Sequence, residues 1–224
     1  MLQDRVLFID GEAILLDKPA GLPVDRPRAG GDSIEALAPL LSFGFARPPA
    51  AVHRLDRDTS GCLLLARNPK AHRRFAATFE AGDVQKTYLA VLAGIPADQS
   101  GTVDMALSKR SSAAQGWRMI ADRKGKAAVT EWKVLGTIEG RALVAFTPRT
   151  GRTHQIRVHA ASGIGHAIVG DPVYGTADRF MLLHAARLVM PRDAKPDIVG
   201  CAPLPETFGP FRAFVPPSDQ VKIA

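Results

Sequence analysis

Hydrophobic residues in this chain come in short runs, and the polar positions between them mark where each run must end. Val6-Leu7-Phe8-Ile9 and Ala13-Ile14-Leu15-Leu16 flank Asp10-Gly11, a pairing that predicts a β-hairpin. Lys18-Pro19-Ala20-Gly21-Leu22-Pro23-Val24 then breaks regular structure, and Arg26 to Gly31 reads as a mobile loop. Asp32-Ser33 can cap a short helix reaching about Leu41, which Pro39 shortens. Cys62-Leu63-Leu64-Leu65-Ala66 is apolar without interruption and predicts a buried central strand.

Asn68-Pro69 starts a helix, with Asn as the cap and Pro at the first helical position, and Gly82 ends it. His72, Phe75, Ala76 and Phe79 line one face, while Lys70, Arg73 and Arg74 form a basic stripe on the other. Lys86-Thr87-Tyr88-Leu89-Ala90-Val91-Leu92 alternates, so Lys86, Tyr88 and Ala90 share one side of a strand. Residues 101–134 read as short strands around a basic, Ser-rich turn, Ser108-Lys109-Arg110-Ser111-Ser112. Arg141 to Phe146 alternates again, and Pro148-Arg149-Thr150-Gly151 turns the chain into a short helix from about Thr153 to Ala161, stopped by Gly163. Met181 to Met190 reads as a strand, and Pro-rich segments finish the chain. Strands outnumber helices and follow one another directly, which predicts an α+β fold with a mixed, mostly antiparallel sheet and flanking helices. With no internal repeat and no linker, residues 1–224 are expected to form a single domain.

Composition narrows the class. The chain has 224 residues, 46% hydrophobic and 23% charged, as in ordinary globular proteins. No apolar run approaches the roughly eighteen residues that a membrane span needs. Met1 to Asp10 lacks a basic segment followed by an apolar core, and the two cysteines, Cys62 and Cys201, lie far apart. A cytoplasmic setting is the expectation. The net charge of +7 predicts affinity for polyanions, although solvated basic faces give the same number. An aromatic content of 6% argues against a platform that stacks many bases.

Candidate chemistry concentrates in two places. His53-Arg54-Leu55-Asp56-Arg57-Asp58-Thr59-Ser60-Gly61 sets a carboxylate between two arginines, which favours its charged form and suits a nucleophile or base more than an acid. The plain alternative is an ion-paired loop. Gly151-Arg152-Thr153-His154-Gln155-Ile156-Arg157-Val158-His159 is the second cluster. On a helix His154 and Arg157 share a face, whereas His154 and His159 are five apart and do not align as metal ligands.

These stretches, with Lys86-Thr87-Tyr88, Gly170-Asp171 followed by Tyr174-Gly175, and Leu183-His184-Ala185, occur in an order that resembles the RluA family of pseudouridine synthases. The likeness runs from Lys18-Pro19-Ala20-Gly21 to Phe214-Val215-Pro216-Pro217, and the chain looks like the short members without a separate S4-like RNA-binding domain. It implies the pseudouridine synthase fold with a central RNA-binding cleft, and isomerisation of uridine in structured RNA (ribosomal, transfer or both). Neither cofactor nor metal is implied, no membrane or protein partner is expected, and a monomer is the default. Carried over residue by residue, Asp56 matches the catalytic aspartate, Tyr88 the tyrosine that stacks on the target uracil, and Arg157 the arginine that pairs with the aspartate. Arg54 matches the arginine associated with base extrusion. Lys86, Arg152, His154, Lys70, Arg73 and Arg74 are candidates for RNA contact, as are Lys109 and Arg110. Asp25-Arg26 stands where relatives commonly have His-Pro, and Ala167 where proline is usual. The chemistry is consistent with these residue types, because breaking N1–C1′ and joining C5 to C1′ needs an anionic group. Such a carboxylate can attack the base, attack C1′, or remove the C2′ proton. The competing readings are an RNA-binding protein using the same cleft without catalysis, and a hydrolase built on Cys62.

Overall fold

The structure, a computed structural model, describes residues 1–112 and 116–215. Pro216-Pro217 therefore lie outside the described residues. In chain order the first strands are β1 (Val6–Ile9), β2 (Ala13–Lys18), β3 (Ala50–Ala51), β4 (Ser60–Ala66), β5 (Gln85–Leu92) and β6 (Ser100–Asp104). They are followed by β7 (Leu107–Ser112), β8 (Gly116–Ala121), β9 (Val129–Ile138), β10 (Arg141–Pro148), β11 (Leu183–Met190) and β12 (Ile198–Cys201). The α-helices are α1 (Ile34–Leu37), α2 (Pro69–Ala81) and α3 (Gln155–Val158). The chain divides into two compact units, Met1–Lys86 with His184–Pro203, and Thr87–Leu183 with the chain from Leu204 onward.

In the first unit β1 and β2 form the hairpin around Asp10-Gly11, and β2 pairs antiparallel with β4 from Ala13↔Ala66 to Lys18↔Gly61. Every residue of β2 and β4 is buried, which is why their sequences run apolar instead of alternating. β4 also pairs in parallel with β11, and β12 lies antiparallel on β11. At Gly61, φ is +104° and an added Cβ would run into the Ala185 backbone of β11. Both conditions exclude a side chain. Gly61→Ala is expected to lower unfolding stability by at least about 2 kcal/mol in urea titration, and an unchanged midpoint would refute the close approach.

Helix α2 begins as its sequence requires: the Asn68 side chain accepts the Ala71 amide, Pro69 follows, and Gly82 closes the helix in the left-handed region. Ser33 caps α1 in the same way, and the Pro39 segment continues as a 3₁₀ turn over Ala38–Leu41.

In the second unit β10 lies between β5 and β9, and β6 flanks β9, all antiparallel. Their core gathers Ala90, Leu92, Val144, Phe146, Ile156 and Ile168, with Tyr88 and Trp132 partly buried against it. β7 and β8 form a separate antiparallel ribbon. Thus the basic Ser-rich segment 108–112 is strand, not turn: a partner strand supplies the hydrogen bonds that its weak β propensity does not signal. The helix expected from Thr153 to Ala161 is also different. α3 is four residues long and widens into a π-type turn over His159–Ile164 that Gly165 ends. His154 precedes α3 with φ +53°, so it shares no helix face with Arg157. The α+β fold with mixed, mostly antiparallel strand pairing is as the sequence predicts.

Candidate active site

Asp56 is half-buried in the loop between β3 and β4, next to the buried Leu55, and its carbonyl accepts the Thr59 amide at 3.2 Å. The loop is fixed by a residue that the sequence reading left without a role. Lys18, at the end of β2, is completely buried. Its ammonium donates to the carbonyls of Pro19 (2.8 Å), Leu22 (2.8 Å) and Arg57 (3.0 Å). Gly21 adds a reciprocal clasp, donating its amide to the Arg57 carbonyl at 2.9 Å and accepting Arg57 Nε at 3.1 Å. Burial pushes the Lys18 ammonium down to about 8, against the opposing pull of the Asp58, Asp56 and Asp17 carboxylates. One buried cation therefore ties residues 19–22 to the carbonyl of Arg57, the residue after Asp56.

Arg54 is exposed and ion-paired with Asp25 at 2.8 Å. The Asp25-Arg26 departure thus contacts a candidate site residue directly, which its position in the sequence did not indicate. With both side chains more than half exposed the pair is weak and opens easily. Lys86 sits half-buried at the start of β5 with its ammonium 5.9 Å from the Phe79 ring centre, and burial lowers its pKa. His53 stacks on the same Phe79 ring at 4.5 Å, and its Nε2 accepts the Leu64 amide. Desolvation and the Lys86 charge hold that ring neutral.

The basic stripe of α2 is divided by its neighbours. Arg74 is ion-paired with Glu12 at 2.8 Å, and Glu12 also meets Lys195 at 3.2 Å. Lys70 and Arg73 remain exposed, and Arg73 borders a cavity of 360 Å³ that Arg47, Arg67, Asn68 and His72 also line.

Two buried groups of this unit serve structure. Cys62 is buried with its sulfur 3.5 Å from the Gly200 carbonyl, and burial pushes the thiol up to about 12. A thiol so held is no nucleophile at neutral pH. His184 is completely buried between the Ser60 hydroxyl (2.8 Å) and the Ala202 carbonyl (3.2 Å). The carbonyl requires Nε2–H, so Nδ1 accepts from Ser60. Burial pushes His184 down to about 4. An unfolded histidine binds its proton near pH 6.5, so the contribution is complete above that value and is lost as pH falls through the folded pKa. Stability should drop by about 3 kcal/mol between pH 6.5 and 4 from this residue. His184→Gln should flatten that slope in urea titrations, and an unaltered slope would refute the assignment.

The second unit holds Tyr88, Arg152, His154 and Arg157. Tyr88 lies on β5 opposite Phe146 of β10, half-buried against the core. Arg157, on α3, is 5% exposed and makes a two-point ion pair with Asp171, Nε to Oδ2 at 2.7 Å and Nη2 to Oδ1 at 2.8 Å. Asp171 Oδ1 also accepts the amides of Val173 and Tyr174. The Tyr174 ring lies 5.2 Å from the Arg157 guanidinium, and its hydroxyl meets His154 Nδ1 at 2.9 Å while accepting the Met119 amide at 2.9 Å. His154 is therefore engaged inside the unit. Arg152 is exposed, with Nε donating to the Ala127 carbonyl at 3.0 Å.

The loop leading to α3 is organised by Gln155. Its Oε1 accepts from the Thr150 hydroxyl and the Arg152 amide, and its Nε2 donates to the Val129 carbonyl and Thr130 Oγ1. His159 is a satisfied core residue between Thr130 Oγ1 and the Met105 carbonyl. The structure brings Arg157, His154, Asp171 and Tyr174 together in this unit and places Asp56, Arg54, Lys86, Lys70, Arg73 and Arg74 in the other. Lys18 and Asp171 could have been flagged: a lysine inside an apolar strand, and a carboxylate within the Gly170-Asp171 motif.

Residues 12–162, more than half of the chain, match the family model described as RNA pseudouridylate synthase. An uncharacterized RNA pseudouridine synthase of Zymomonas mobilis is 55% identical over 212 residues, covering 93% of this chain and 97% of that protein. Ribosomal large subunit pseudouridine synthase D of the same organism is 36% identical, over 78% of this chain and 57% of that longer protein. Among solved structures, human RNA pseudouridylate synthase domain containing 4 aligns with a TM-score of 0.78 at 27% identity, covering 92% of this chain and 91% of that one. Human RNA pseudouridylate synthase domain containing 1 aligns with a TM-score of 0.71 at 28% identity, over 88% and 82%. With this match in sequence and in strand arrangement, the chain belongs to the RNA pseudouridylate synthase family of isomerases.

Proposed function

We propose that this chain isomerises specific uridines in ribosomal or transfer RNA, as a single catalytic domain, with Asp56 as the catalytic carboxylate. The observation that carries the reading is the half-buried Asp56 in a loop pinned by the buried Lys18 ammonium, within the stretch 12–162 that matches the family model. A reacting group must be held in place before its substrate arrives, and the Lys18 hydrogen bond to the Arg57 carbonyl, braced by those to Pro19 and Leu22, does that for the residue next to Asp56. Tyr88 offers a half-buried aromatic face to an extruded uracil, and Arg157 stands at the place of the arginine that serves the aspartate in the family the sequence resembles. Arg54 is the extrusion arginine and must leave Asp25 to act.

The reaction balances without an oxidant or a second substrate. The N1–C1′ bond breaks, the base turns, C5 joins C1′, the C5 hydrogen leaves as a proton, and N1 gains one. Extruding the base costs a few kcal/mol, which favours uridines in loops. One relative bears the name ribosomal large subunit pseudouridine synthase, which supports large-subunit RNA as the first substrate to try. No helix among the described residues is long and apolar enough to cross a membrane.

The deciding experiment uses 5-tritiated RNA from a strain lacking this protein, incubated with the purified chain. Tritium release is expected, because every route expels the C5 hydrogen. Binding of that RNA without release would leave the non-catalytic binder as the better reading.

A further inference from the structure

The β7–β8 ribbon places two arginines directly opposite each other, Arg110 of β7 against Arg118 of β8. Like charges in this cross-strand position repel and destabilise the ribbon they sit on. Neither guanidinium has an ion-pair or hydrogen-bond partner among the described residues, and the Nε of Arg118 is buried with no hydrogen-bond partner. Asp122, just beyond β8, is engaged with the Lys124 amide and the Ser108 hydroxyl instead. A buried N–H without an acceptor is costly, and a side chain held by no bond is free to turn its fork toward an arriving one.

The other face of the ribbon is already committed. Strand alternation puts Leu107 and Lys109 of β7 with Trp117 and Met119 of β8 on the side away from the arginines. Leu107 and Met119 pack with Val158, next to Arg157 on α3. The Met119 amide donates to the Tyr174 hydroxyl, and the Trp117 ring meets His154 edge-on at 5.0 Å. One face is thus docked, and Arg110 and Arg118 occupy the other.

We infer that Arg110 and Arg118 form a phosphate fork, in which one backbone phosphate of the RNA substrate is shared by the two guanidiniums. A phosphate removes the repulsion between them and accepts from both in the two-point geometry that arginine favours. The inference rests on the proposed action on RNA, because it names the part of the protein that holds that RNA's backbone.

The test measures the dissociation constant of a large-subunit ribosomal RNA transcript against potassium chloride concentration. The full-length chain is compared with Arg110→Gln, Arg118→Gln and the double variant, with thermal unfolding to confirm folding. Each single variant is expected to weaken binding roughly tenfold at low salt and to reduce the slope of log K against log salt by about 0.7–0.9. The double variant should lose no more slope than a single one, because one phosphate is shared. A fall near two would mean two separate contacts and overturn the fork, as would unchanged slopes in both singles. Should Arg118→Gln fail to fold, Arg118→Lys and the exposed Arg110→Gln carry the comparison. Tritium release by the wild type with unaltered slopes would sink this inference and leave the isomerase reading standing. Arginine-dependent binding without tritium release would do the reverse.

Discussion

Asp56→Asn should reduce tritium release from 5-tritiated RNA by at least about a thousandfold, the loss typical of removing an essential nucleophile or base. The substitution keeps the side-chain shape while removing the negative charge and turning one acceptor oxygen into a donor NH2. The loop keeps its neutral and backbone anchors: Leu55 is buried beside it, Lys18 holds the Arg57 carbonyl, and the Thr59 amide bonds the Asp56 carbonyl. The unfolding midpoint should therefore stay close to wild type, as for partly exposed substitutions generally. RNA affinity should hold or rise, because an anion facing a polyanion has been removed. A variant that is folded, binds RNA and releases no tritium places the defect in the chemical step. If Asn at this position retained a tenth of wild-type activity, the assignment of Asp56 would fail.

The legible parts of the fold were those set by local chemistry. Asn68-Pro69 and Gly82 bound α2 as their capping preferences demand, and the apolar runs of β2 and β4 read as buried strands because both faces are covered. Segments whose structure depends on distant partners did not read. β7 is strand because β8 pairs with it, although Ser, Lys and Arg carry little strand signal. β12, four residues between Pro-rich stretches, gains its identity only on β11. At the candidate site, Asp56, Tyr88 and Arg157 were singled out because their identities sit in long, distinctive strings. What supports them was hidden for a physical reason. The three carbonyls around Lys18 are backbone groups, which carry no sequence signature. Asp25 and Arg54 are far apart in the chain, and nothing local announces their contact. His154 misled because a helix was assumed to begin at Thr153, whereas the left-handed backbone of His154 turns its ring toward Tyr174.

Removing Asp171 should destabilise the protein about as much as truncating a large core side chain. The carboxylate is fully buried, and burial by itself would raise its pKa; the Arg157 hydrogen bonds and charge, with the amides of Val173 and Tyr174, outweigh that and hold it below the ordinary carboxylate value. Asp171→Ala removes the buried carboxylate that grips the Arg157 guanidinium at two points, a loss of about 3–5 kcal/mol. Asp171→Asn keeps an acceptor for the two amides and should cost less, while releasing the two-point grip on Arg157. The pair is separable from its parts by a cycle with Arg157→Met. If the ion pair is the cause, the double variant Arg157→Met with Asp171→Asn is less destabilised than the sum of the two singles. Simple additivity would mean that the residues act independently. The lowered carboxylate pKa adds a signature in acid. Its stabilising contribution is present above the unfolded carboxylate value and is lost as pH falls through the folded one, so Asp171→Asn should remove part of the acid instability near pH 4 and below. Activity follows from geometry. With Arg157 as a proposed site residue, a folded Asp171→Asn variant should lose activity about 10–100-fold through kcat, since the two-point grip that orients its guanidinium is gone.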